Sequence, residues 1–206
     1  MGDLGIAGEV VNRPGTGAIL LGSILGWGVA ALLGFAAAWV VRIFGVPNMP
    51  AALITIGVAG FVGGGSHGLL LRGADDRISW RQILLLSSVW CLTCMGGVTP
   101  LFLMTGTIWK MAVVTLTSFG VFGALGGMVT VPVICSPVRS PRFGHAVSAV
   151  LIWTVSLALA AAGSDLLGEG LQRLLSSAIA WPLATTVAVL VIGSGSGFAL
   201  IRLLKS

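Results

Sequence analysis

Charge is what this sequence has least of. Only 8% of its 206 residues are Asp, Glu, Lys or Arg, against about a quarter in an ordinary water-soluble domain. With 56% hydrophobic residues and a mean hydropathy of +1.07, the chain has too little polar surface to coat a globule. A soluble domain is excluded, and the solvent is lipid. Acids are scarcer still. Asp3, Glu9, Asp75, Asp76, Asp165 and Glu169 are all six of them, and each is expected outside the apolar segments. Proton-coupled carriers keep a carboxylate at depth, and general acid–base catalysis needs such groups at a site. No Ser–His–Asp set is credible, because Asp165 and the two histidines are expected on opposite faces. The expectation is that the chain is not an enzyme. Cysteine is also sparse. Cys91 and Cys94 form C-x-x-C one helical turn apart, and Cys135 falls on the other side of the next segment. This gives no second pair for a thiol relay and too few ligands for a metal, so small apolar packing is the reading.

What is present is six apolar runs: Gly17–Ile43, Ala51–Leu71, Gln82–Phe102, Met111–Ile134, His145–Leu167 and Pro182–Leu203. Each matches the roughly 20 residues that span a bilayer. In lipid a helix satisfies its own backbone, and barrel alternation is absent, so an all-α polytopic membrane protein is expected, one integral domain over 1–206. Glu9 and Asp3, without a basic cluster, make no cleavable leader, and the first run reads as a retained anchor. The net charge of +5 does not indicate nucleic acid. Arg13, Arg72, Arg77, Arg81, Arg139, Arg142, Arg202 and Lys205 fall on one side of a six-span topology, with Arg42, Lys110 and Arg173 on the other. That bias predicts cytoplasmic N- and C-termini; the membrane is expected to be a bacterial cytoplasmic one. Trp39, Trp109 and Trp181 near the outer helix ends and Trp80 near an inner one fit an aromatic belt.

Trp27, Trp90 and Trp153 are spaced 63 residues apart, and Gly60, Gly63 and Gly64 recur at Gly123, Gly126 and Gly127. A third copy is shifted by four residues, with GGGSHGLLLR (63–72) aligning on GSGSGFALIR (193–202), which brings in Gly193 and Gly197. Self-similarity at fixed period signals a repeat architecture. The expectation is three helical hairpins, units of about 17–75, 80–138 and 143–206, around a pseudo-threefold axis. The shift is placed in SDLLGEGLQRLLSSAIAW, whose leucines predict a short interfacial helix before the sixth span.

The stretch GFVGGGSHGLLLRG, residues 60–73, lies inside an apolar run with no lysine after it, so it is not a phosphate loop. Gly60, Gly64 and Gly68 instead bare one stripe of a helix for close packing. The central tryptophans sit at nearly the same depth as these glycines. Each indole is therefore expected on a Gly-rich helix of its own or a neighbouring hairpin, its N–H reaching Ser87, Ser88, Thr117, Ser118, Ser194 or Ser196. His67 is the one clear ionisable side chain within a span, a functional position by default. Two readings stand: a neutral histidine bonded across a helix interface, or an axial ligand for a planar macrocycle approaching over Gly63. No cofactor is required by the sequence. His145 reads as interfacial.

The segments Gly63–Arg72 and Gly193–Arg202 resemble a group of uncharacterised bacterial multi-spanning membrane proteins. In that group a Gly-rich helix ends in a Gln-Trp-Leu-Val-Leu-Arg-like run and a Trp helix follows. This chain has His67 and Gly68 where those have Gln and Trp. The resemblance implies the repeated hairpin architecture and no activity. Three functions are weighed. The first is a non-catalytic membrane subunit or scaffold, with the bilayer and other membrane subunits as partners. The second is a channel or uncoupled carrier for a small solute, lined by Ser87, Thr93, Thr117, Ser118, Ser194 and Ser196. The third is a pigment- or haem-associated protein using His67.

Overall fold

The structure is a computed structural model that describes residues 15–75, 77–103, 108–135 and 142–204. Expectations resting on Asp3, Glu9, Arg13, Asp76, Arg139 and Lys205, and on the side chain of Trp109, lie outside what it describes. It is all-helical: α1 (Thr16–Ile43), α2 (Asn48–Ala74), α3 (Trp80–Val98) prolonged by a 3₁₀ turn (Thr99–Leu103), α4 (Ile108–Cys135), α5 (Phe143–Gln172) and α6 (Ser177–Leu204). Each of these six segments is long and apolar enough to cross a membrane.

Local chemistry explains the boundaries. After Ile43 the Val46 N–H donates to the Val41 carbonyl at 3.1 Å and the Gly45 N–H to the Arg42 carbonyl at 3.0 Å. Gly45 has φ +67°. This double closure with glycine in the left-handed region ends a helix sharply, and Pro47 then prevents its resumption. At the start of α3, Ser79 and Gln82 form a reciprocal capping box, and Gln82 Nε2 donates to the Val133 carbonyl at 2.8 Å. That carbonyl belongs to the last turn of α4, where main-chain acceptors lack helical partners. One glutamine thus caps two helices.

Each helix packs on its neighbours in sequence, and α1 packs on α6, so the six close into a ring. The contacts run antiparallel. Gly193 meets Ile24 and Gly197 meets Leu20 across α1–α6, while Gly22 meets Leu70 and Gly34 meets Thr55 across α1–α2. Thr16, Ala74, Trp80, Cys135, Phe143 and Leu204 therefore share one end, called the basic end here for Arg72, Arg77, Arg81, Arg142 and Arg202. Side chains such as Leu32, Leu92 and Val113 point outward, 70%, 68% and 62% exposed, as lipid-facing residues do.

Two expectations are corrected. No separate interfacial helix precedes α6. The leucines at 166, 167 and 171 continue α5 without a break to Gln172, and a turn leads directly to Ser177. Nothing in 163–172 removes a backbone donor, and Gly168 lets the Trp181 ring pack within 2.7 Å of where a Cβ would stand, which holds the extension against α6. In consequence Asp165 and Glu169 do not lie outside the helices but inside α5. Asp165 accepts from Thr115 Oγ1 of α4 at 3.0 Å, and Thr115 is 1% exposed.

Candidate functional site: an aromatic and histidine core

Trp27, Trp90 and Trp153 are 4%, 1% and 1% exposed, and His67 is fully buried. They stand about 15 Å in from the basic helix ends, His67 somewhat less, at 1.5 Å per residue. All four rings meet edge to face. Trp27 and Trp90 lie 6.2 Å apart between centroids, Trp90 and Trp153 5.9 Å, and His67 is 5.9 Å from both Trp27 and Trp90. The ring contacts thus run in a line with Trp90 at its middle and His67 bridging one side, rather than as a triangle.

The glycines make this cluster possible. A Cβ on Gly63 would stand 2.8 Å from the Trp27 ring, and one on Gly64 2.6 Å from the Leu86 carbonyl oxygen and 2.8 Å from Trp90 Cβ. On α4, a Cβ at Gly127 would stand 3.3 Å from the Trp153 ring. Gly60 meets the Trp90 carbonyl, Gly68 meets Ile83, Gly126 meets Thr93 and Gly123 meets Leu157. All are helix-to-helix approaches; at Gly60, Gly63, Gly64, Gly68 and Gly126 a Cβ would overlap its neighbour, whereas at Gly123 and Gly127 the neighbour need give only slightly. Trp90 and Trp153 therefore rest on the Gly-rich helix before them, whereas Trp27 rests on the one after it.

The polar contacts are few. The Trp27 indole N–H is shared between His67 Nε2 at 3.2 Å and Ser196 Oγ at 3.3 Å, which ties α1 to both α2 and α6. Of the six hydroxyls expected to receive an indole N–H, Ser196 does so. Ser87 is buried without reaching one, and Ser88 and Thr117 are exposed and donate to carbonyls one turn back. Because Nε2 accepts, the ring proton of neutral His67 is assigned to Nδ1. Among the described residues, Ser23 Oγ, His67 Nδ1, Trp90 Nε1 and Trp153 Nε1 are buried with no hydrogen-bond partner. The sequence signal for His67 was its ionisable type within a span. The partner was not foreseen, because an indole N–H donor from the preceding helix leaves no local pattern. Ligation of a macrocycle through Nε2 would require Trp27 to leave, and indole rings on both α1 and α3 flank the imidazole.

Cys94 is buried beside these rings and Cys91 is half-buried, its Sγ 3.8 Å from Met95 Sδ; both are free thiols. Trp39 and Trp80 are 68% and 59% exposed near helix ends, and the Arg72 guanidinium lies 4.7 Å over the Trp80 ring. His145 begins α5, half-buried. Among the described residues no group of three His, Cys, Asp or Glu is placed to hold a metal. Two shallow grooves open on the outside. One of about 490 Å³ follows α5 along Gly144, Ser148, Ile152 and Ser156. The other, about 370 Å³, follows the α1–α2 seam along Ala18, Gly22, Ser66, Leu70 and Gly73. Comparison of the chain with known protein families, curated proteins and solved structures yielded no match.

Proposed function

We propose that the chain is a non-catalytic integral membrane subunit, a scaffold that packs within a larger membrane assembly. The observation that carries this reading is the filled centre of the ring: Trp27, His67, Trp90 and Trp153 occupy it, each in edge-to-face contact with Trp90 or, for Trp90, with the other three. A helix bundle whose interior is spent on its own cohesion offers its work at its outer surface. There, α5 carries a groove edged by Gly144 and Ser148, the small residues that let a further helix approach. The finer architecture belongs to the same proposal: three related hairpins about a pseudo-threefold axis, in a bacterial cytoplasmic membrane with both termini inside. It is supported by the pairs Gly64–Trp90 and Gly127–Trp153, which repeat one contact 63 residues apart. The test is mild-detergent purification of the tagged chain from its native membrane, with mass spectrometry of what accompanies it. A stoichiometric membrane partner is expected. A homogeneous protein that retains all its activity alone refutes the reading.

A second reading, passage of a small neutral or weakly charged solute, is favoured by one observation. Three ring nitrogens and one hydroxyl are unpartnered in the core, and buried polar groups ordinarily have partners. Solute flux into liposomes carrying the purified protein distinguishes the two readings.

A further inference from the structure

Beyond its scaffold role, we infer that His67 is a proton-binding site whose occupancy rearranges the hydrogen bond joining α1, α2 and α6. Three observations place it. First, the Trp27 N–H divides between His67 Nε2 at 3.2 Å and Ser196 Oγ at 3.3 Å. This is the side-chain bond by which α1 meets both of its neighbours at that depth. Second, His67 Nδ1 is buried and has no partner among the described residues. Third, an outer groove along the α1–α2 seam runs from Ala18 and Gly73 at the basic end to Gly22 and Ser66, so the seam that this bond closes is not filled by side chains on its outer side.

The chemistry follows from the imidazole. Neutral His67 has one acceptor nitrogen, and Trp27 uses it. A proton taken up from water adds to Nε2 and gives an imidazolium with two N–H groups and no acceptor. The Trp27 N–H then has Ser196 Oγ alone, and the α1–α2 bond is lost while the α1–α6 bond remains. Burial of the cation is costly, and the Trp90 ring, 5.9 Å from the imidazole between centroids, lies at the distance of cation–π attraction. The groups presented to His67 are Trp27 from α1, Trp90 from α3 and, through Trp27, Ser196 from α6. None titrates in the same range. The arginines of the adjoining helices lie at the helix ends: Arg72 donates to the Ile78 carbonyl, Arg81 and Arg202 are exposed at the basic end, and Arg42 is exposed at the opposite end of α1.

The chain has two histidines, which makes the test direct. Full-length protein carrying His145→Asn is labelled with ¹⁵N-histidine, reconstituted in lipid nanodiscs and titrated by NMR, so that one residue reports. His67 is expected to pass from one protonated ring nitrogen to two as the pH is lowered. The Trp27 indole signal, assigned by its loss in Trp27→Phe, should move at the same pH. The two variants should act in opposite directions. Trp27→Phe removes a donor that favours the neutral ring and should raise proton affinity roughly three- to tenfold. Ser196→Ala leaves the whole N–H to Nε2 and should lower it by a similar factor. A purely packing role predicts no such opposition. The inference is overturned if His67 keeps a single ring proton to about three pH units below the ordinary histidine value. It is overturned equally if the two substitutions shift its titration in the same direction or not at all.

Discussion

Gly64 and Trp90 touch across the α2–α3 seam so closely that a Cβ on the glycine would stand 2.8 Å from the tryptophan Cβ and 2.6 Å from the Leu86 carbonyl oxygen. The backbone atom makes this approach unforgiving, since a carbonyl within a helix cannot swing aside. Gly64→Leu should therefore destabilise the protein by about 1–3 kcal/mol or more. Gly127→Leu, where the nearest atom lies at 3.3 Å, should cost less. Unfolding in mixed micelles measures both. Equal effects, or a silent Gly64→Leu, would contradict the packing described.

Gly28 supplies the opposite case. Nothing lies within 4 Å of a Cβ built there, and the residue is in mid-helix. Gly28→Ala should stabilise the protein by about 0.5–1 kcal/mol, the usual helical cost of glycine. A thermal scan in detergent suffices, and a lowered midpoint would show a neighbour that the structure does not.

The six apolar segments were readable because each spans a membrane in one uninterrupted run, and lipid leaves the backbone no choice but helix. The central tryptophans were readable as buried because their spacing matched that of the glycines that accommodate them. Other features were not. SDLLGEGLQ reads as interfacial because its leucines fall near one helical face with Asp165 and Glu169 elsewhere; the Thr115 hydroxyl that receives Asp165 comes from another helix, fifty residues earlier. The sharing of the Trp27 N–H by His67 and Ser196 joins residues 40 and 169 positions apart, separations at which a single sequence carries no pairing signal.

The Thr115–Asp165 bond makes a prediction of its own. Thr115→Val keeps the shape of the buried side chain and removes the donor, leaving a carboxylate oxygen unpaired. The expected loss is about 1–3 kcal/mol. Combining it with Asp165→Leu should recover part of that loss, because no unpaired acceptor remains. A strictly additive double mutant would show that the two groups do not interact.

Gln82 holds two helix ends at once, through Ser79 and through the Val133 carbonyl. Gln82→Ala should speed amide hydrogen exchange in the first turn of α3 and in the last turn of α4. Ser79→Ala should affect α3 alone, at a cost of about 1 kcal/mol. Exchange measured by mass spectrometry resolves the two segments.

The closing of α1 on α6 has a consequence for biogenesis. The surface of α1 around Leu20 and Ile24 is completed by Gly197 and Gly193, which are synthesised long after it. At roughly 5–20 residues per second, the first helix enters the membrane on the order of ten to thirty seconds before its final neighbour leaves the ribosome. During that interval one flank of α1 faces lipid or a temporary companion, and Trp27 lacks Ser196. The unfinished ring is then an open arc, able to receive a helix from another chain at the place reserved for its own sixth.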